Sequence, residues 1–230
     1  MTNDTNDTKN NLSEAMVKAG VHFGYSKSRR HPSTAPFIIA TKNKVDIIDP
    51  EKISELLDKA KEFIAKLAKE NKKILFVGTK PEAKKIILEA ATLLDMPYVT
   101  ERWIGGILTN FPEIKKRIAK YNDLRSKKEK GELDKYTKKE RLMIDREIIK
   151  LENYFGGISN LEKAPDALLI IDSKKEHIAA TEAKKSGIPV ISLSNTDTNI
   201  KSIDYPVVGN DGSSSSIKYF TNEIVKAYKI

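Results

Sequence analysis

The sequence predicts an α/β domain, a parallel sheet layered between helices, with an antiparallel helical hairpin inserted into it, and three observations carry that prediction. Short strand-forming apolar runs, ILFVG, PYVT, DALLIID and PVISLS, alternate with amphipathic helical segments, the order that parallel βαβ units require. The stretch from Glu113 to Glu152 breaks that order with two narrow apolar stripes in a highly charged background. Cysteine is absent, so the fold must be held by its apolar core, without disulfides or thiolate metal sites.

Taken in order, residues 1–11, MTNDTNDTKNN, have no apolar residue after Met1 and are assigned as a flexible tail. LSEAMVKAG reads as a short helix with Ser13 as cap and Gly20 as stop, and VHFGYSKSRRHPSTAP as a basic, proline-containing loop. FIIATKNKVDIID has strand character on both sides of a turn at Thr41 to Lys44. From Pro50 to Glu70, Ile53, Leu56, Leu57, Ala60, Phe63, Ile64 and Leu67 recur at helical spacing behind a proline suited to a helix start. Further helices follow at Pro81 to Leu94, at about Glu176 to Lys185 with Gly187 as stop, and in a last segment carrying Ile217, Phe220, Ile224 and Tyr228.

In the interrupting stretch, Ile114, Ile118 and Tyr121 form one stripe, and Ile144, Ile148, Leu151 and Phe155 another, with Gly131 between them. Spacings of three and four favour an antiparallel coiled-coil hairpin between the fourth and fifth strands read from the sequence. The division is therefore an α/β domain over 12–110 and 156–230, with the hairpin insertion over 111–155. The stretch from Glu113 to Glu152 holds 14 Lys and Arg against 9 Asp and Glu, or +5 of the chain's net +9. Such an arm projects into solvent or a partner, and the basic balance favours an anionic partner. No secretory leader and no apolar run of membrane-spanning length is read, so the expectation is a soluble cytoplasmic protein.

Chemistry-bearing motifs are few. ILFVGTKPEAKK places Gly78, Thr79 and Lys80 between a strand and a helix, where α/β proteins hold phosphates. It lacks the paired glycines of a P-loop, and Pro81 removes a backbone donor at the helix start. Gly78 is read as a turning residue, with Lys80 free to touch a phosphate of a larger ligand. A nucleotide- or sugar-phosphate-dependent enzyme is the competing class, tested by mononucleotide binding abolished in Lys80→Ala; a free adaptor with a protein-binding arm is the third. His22, His31 and His177 have no triad or i, i+4 partner; His22 with Asp197 or Asp211 is the one conceivable cation site, and no metal or other cofactor is assigned. Ser213 to Ser216 reads as a helix cap.

TERWIGGILTNFPEIKKR is the most informative segment. Arg102 and the Gly105–Gly106 backbone could approach a phosphodiester chain, while Trp103 packs and Asn110 caps the next helix. Upstream, YSKSRRHP gathers Lys27, Arg29 and Arg30.

The stretches AGVHFGY, VDIIDPEK, YVTERWIGGILTNF, TKKERLMIDREIIKLE, PDALLIID, EHIAATEA and GIPVIS, in this order, resemble the universal small-subunit ribosomal protein family numbered two, in its bacterial form. The resemblance runs from about Leu12 to Tyr228. It implies a flavodoxin-like domain with a five-stranded parallel sheet and a protruding coiled-coil hairpin, no catalysis, binding to small-subunit rRNA, and contacts with neighbouring ribosomal proteins. Among these neighbours it implies the large RNA-binding ribosomal protein numbered one. The implied setting is the cytoplasm, on the ribosome. Arg30 stands where the family usually has tryptophan, and Asn195 where aspartate is common. The candidate RNA-contact residues are Lys27, Arg29, Arg30, Arg102, Lys115, Lys116 and Arg117.

Overall fold

A computed structural model describes residues 14–229; the tail read over 1–11 and the cap assigned to Ser13 lie outside them. A helix over 14–18 (α1) leads into β1 (Phe23–Ser26), two short 3-10 turns at Lys27–Arg29 and Pro32–Phe37, β2 (Ile38–Lys42) and β3 (Val45–Ile48). These strands form a small antiparallel sheet in the order β1-β3-β2. The hairpin turn closes with Asn43 and Lys44 at positive φ, 50° and 66°, as a tight two-residue turn requires. The segment read as a loop from Val21 to Pro36 therefore contains a strand. That strand pairs through only a few residues and with a register shift, so no alternating pattern marks it.

The main chain of the domain follows: α2 (Pro50–Lys69), β4 (Ile74–Val77), α3 (Pro81–Leu93), β5 (Tyr98–Val99), α4 (Phe111–Glu129), α5 (Lys138–Phe155), β6 (Ala167–Ile171), α6 (His177–Lys185), β7 (Val190–Ser194), β8 (Tyr205–Val208) and α7 (Ser214–Tyr228). The sheet order is β5-β4-β6-β7-β8, all pairs parallel, with Ile74 opposite Ala167, Leu168 opposite Val190 and Ile191 opposite Tyr205. Counting only its own strands, that is 2-1-3-4-5, the flavodoxin-like order. With β1 counted, α4 and α5 lie between the fifth and sixth strands of the chain. β8 escaped the sequence reading because Pro206 argues against a strand; it is tolerated here because β8 is the sheet edge.

Both sheet faces are covered, which explains the unbroken apolar runs. Ile74, Phe76, Leu169, Ile171, Ile191 and Leu193 face one core with α2, α3 and α7. Leu75, Val77, Leu168, Ile170 and Val190 face the other, with α6, Trp103 and the near halves of α4 and α5. At Gly78 the backbone packs so tightly that a Cβ would lie 2.8 Å from Ile87 Cγ1 and 3.3 Å from Ala83 Cβ. Its glycine serves close helix–strand approach, not the turn assigned from sequence.

α4 and α5 run back alongside one another. Ile114, Ile118, Tyr121, Ile148, Leu151 and Phe155 are buried in the second core, while Leu124 and Ile144 further out are only half-buried. Lys120 pairs with Glu147, and Lys128 with Asp145 at 2.7 Å, across the two helices. Thr137 and Glu140 start α5 with a capping box.

Candidate nucleic-acid interface

The basic loop is bonded to the segment after β7 at several points. Tyr25 N donates to Asn195 Oδ1 (3.1 Å) and Thr196 Oγ1 (3.0 Å), and His31 N to Thr196 O (2.8 Å). Thr34, fully buried, donates its hydroxyl to Thr196 O (2.7 Å), and Ser33 Oγ donates to Thr198 O (3.3 Å). His31 is thereby a cap: its Nδ1 accepts from Ser33 N at the start of the second 3-10 turn. On this fixed backbone Lys27 and Arg29 are exposed, with the Arg29 guanidinium 5.8 Å from the Tyr25 ring centroid.

Arg30 is placed differently. Its Nε and Nη2 donate to Asp46 at 2.8 and 2.6 Å, a two-pronged pair with a fully buried carboxylate, and Nη2 also reaches Thr41 Oγ1 at 3.1 Å. The Arg30 hydrogen bonds hold the Asp46 carboxyl below the ordinary range, although burial opposes them. This pair ties the loop to β2 and β3.

Lys80, offered from sequence to a ligand phosphate, has 13% of its side chain exposed and lies between Asp172 Oδ2 (2.7 Å) and Asp211 Oδ2 (3.0 Å). Burial alone would favour the neutral amine, but the two carboxylates outweigh it and hold the pKa above the ordinary lysine value. Tyr25 Oη and Asn195 Nδ2 donate to Asp211 Oδ1 at 3.3 and 3.2 Å, while Lys174 N and Lys175 N donate to Asp172 Oδ1. The protein's own carboxylates thus sit where a phosphate would.

Near Arg102, which is exposed, the Trp103–Thr109 loop folds around Glu182. The buried carboxylate accepts from Gly106 N (2.8 Å), Leu108 N (3.2 Å), Trp103 Nε1 (3.3 Å) and Thr109 Oγ1 (3.3 Å). Burial pushes its pKa up, but these donors prevail and leave it below the ordinary 4.5. Gly106 holds φ +97°, a conformation open to glycine, and its N–H is directed at Glu182 rather than at a phosphodiester. Trp103 packs as read, 6% exposed. Asn110 stands at the N-cap of α4, although its side chain makes no cap bond. Lys115, Lys116 and Arg117 are exposed at the root of α4; Lys116 pairs with Glu113 (2.6 Å), and Lys115 Nζ donates to Glu162 O (3.5 Å).

The three positions considered for a cation are each otherwise placed. Asp197 pairs with Lys174 (2.7 Å), Asp211 with Lys80, and the His22 ring lies tilted against Phe23 with centroids 4.1 Å apart. Among the described residues no group of three His, Asp or Glu side chains is arranged to hold a metal ion. No helix among them is long and apolar enough to cross a membrane.

Residues 16–229 match the family described as ribosomal protein S2. The small ribosomal subunit protein uS2 of Coprothermobacter proteolyticus is 42% identical over 92% of this chain and 79% of its own length. Those of Pseudoalteromonas atlantica and Hahella chejuensis are 42% and 43% identical, over 92% and 91% of this chain and 87% and 83% of theirs. The chain belongs to the ribosomal protein S2 family. It is accordingly a structural ribosomal protein and not an enzyme. For an S2-family chain the arrangement is coherent: cations face outward at Lys27, Arg29 and Arg102, while Arg30 and Lys80 are engaged internally to hold the surface that carries them. Glu182, Asp46 and Asp172 were not read as functional from sequence, and Asp211 was considered only for a cation. The only signal of the first three was position within EHIAATEA, VDIID and DALLIID.

Proposed function

We propose that this chain binds small-subunit rRNA and neighbouring ribosomal proteins, fixing part of the small subunit for translation. Exposed Lys27 and Arg29 on a loop bonded at both sides to the body carry the reading, since cations on fixed backbone meet phosphates with little ordering cost. Arg102, Lys115, Lys116 and Arg117 extend the contact surface, and Arg30 orients it through Asp46. Residues 111–155 act as a coiled-coil arm beside the α/β domain of 12–110 and 156–230. Neighbouring proteins, including the large RNA-binding ribosomal protein numbered one, are the remaining partners, and the setting is the cytoplasmic ribosome.

The test is binding of the full chain to small-subunit particles depleted of it, across a salt series. Affinity falls steeply with salt, and Lys27→Ala with Arg29→Ala reduces the slope of log affinity against log salt by about 0.7 to 0.9 for each phosphate left without its cation. A flat salt response in the unsubstituted chain would remove RNA from the reading and leave protein neighbours alone.

A further inference from the structure

A hollow of about 400 Å³ opens between α6 and residues 198–203. Its wall includes Ser173, His177, Lys184, Thr198, Asn199 and Ser202; Ala180 and Ile203 are its apolar members. A second hollow of about 260 Å³ shares Lys184, Ser202 and Ile203 with it and adds Lys201. Thr198 is 4% exposed, and its Oγ1 is buried without a hydrogen-bond partner. An orphaned buried hydroxyl is a liability unless something outside the protein takes its bond.

Charge decides which ligand that is. Among the described residues no ion pair engages Lys184 or Lys201, and the hollow begins at the amino end of α6, where backbone N–H groups favour anions. Lys174, at the rim, is paired with Asp197. Asp204, in the second hollow, accepts from Val190 N at 2.9 Å. The first hollow has two apolar members and the second adds Ile188 and Pro189, but the exposed cations Lys184 and Lys201 outnumber the one carboxylate there, Asp204, and that balance suits an anion. Two adjoining hollows sharing Lys184 suit a chain of phosphates better than a single ion.

We propose that the α6 hollows receive the backbone phosphates of an RNA strand, with Lys184 and Lys201 supplying charge and Thr198 Oγ1 a hydrogen bond. This rests on the RNA-binding reading and adds a second contact surface to it. Thr198 belongs to the same segment that holds the basic loop, through Ser33 Oγ donating to Thr198 O and Ile200 N donating to Ser33 Oγ (3.2 Å). Occupation of the hollows and placement of the loop are thereby coupled.

Depleted small-subunit particles serve again as the probe, with full-length variants. Lys184→Ala and Lys201→Ala each weaken binding and reduce the salt slope by about 0.7. Thr198→Val weakens binding by about tenfold, as removal of a hydrogen bond to a charged group implies, while its melting temperature holds or rises because the orphan is gone. That opposition separates ligand binding from a structural role, which would lower both. Unchanged slopes in Lys184→Ala and Lys201→Ala, with Lys27→Ala and Arg29→Ala still reducing the slope, overturn this inference alone. Weaker binding with unchanged slope in Lys184→Ala assigns the hollow to a protein neighbour and also overturns it. If neither surface changes the slope, the RNA reading itself fails.

Discussion

Lys27 and Arg29 stand on a loop bonded into the body at Asn195, Thr196 and Thr198, whereas the outer half of the α4–α5 hairpin is held across its helices by exposed ion pairs. Around the loop the fixing carboxylates are buried: Asp46 and Asp211 are fully inaccessible, and their partners Arg30 and Lys80 are partly so. Along the hairpin the pairing side chains are about half exposed, 51% and 42% for Lys120 and Glu147. Both regions are basic, but only the first is preorganised by contacts largely withdrawn from water and salt. A preorganised surface sets register on a rigid partner, and a loosely held arm adapts to one.

The sharpest way to break the contrast is Lys80→Ala. Removing the one cation between Asp172 and Asp211 leaves two buried carboxylates facing each other, and a destabilisation of about 3–5 kcal/mol in urea unfolding is expected. The loop falls with it, because Asp211 also receives Tyr25 and Asn195. A change under about 1 kcal/mol would mean that the network is hydrated, and the loop would then be no more fixed than the arm.

Glu182 sharpens the comparison through pH. Its folded pKa lies below the ordinary 4.5, so its stabilisation is complete above that value and disappears as pH falls through the lowered folded value. Trp103 is the sole tryptophan and donates to this carboxylate, which makes its fluorescence a local reporter. The emission should be constant from pH 7 to about 5 and change only below the ordinary carboxylate range, with Glu182→Gln abolishing that step. A step near neutrality would contradict the assignment.

How much of this was legible depends on the range of the interaction. α2, α5 and the apolar strands declared themselves because helical spacing and unbroken apolar runs are local signals. The organising carboxylates were not legible, because the partners of Glu182 lie 73 to 79 positions away and Asp211 meets Lys80 from 131 positions away. Residue type alone did not show the internal partners of two cations: Arg30 pairs with Asp46, and Lys80 with two aspartates. Asn195 carries a related lesson, since its amide donates to Asp211 where an aspartate would bring a third carboxylate to the network.

The smallest expected effect lies on the arm. Exposed pairs contribute about 0.2–1 kcal/mol, so Lys120→Ala and Lys128→Ala should each change urea stability by no more than about 0.5 kcal/mol, and about 0.5 M salt should reproduce most of that change in the unsubstituted chain. Burial of Ile118, Tyr121, Ile148 and Leu151 holds the root regardless, so circular dichroism should show helicity retained in both variants. If either substitution instead costs more than about 1 kcal/mol, the outer hairpin is a fixed element like the loop. Its direction would then be set by the protein alone, whereas weak pairing leaves that direction open to whatever packs against it.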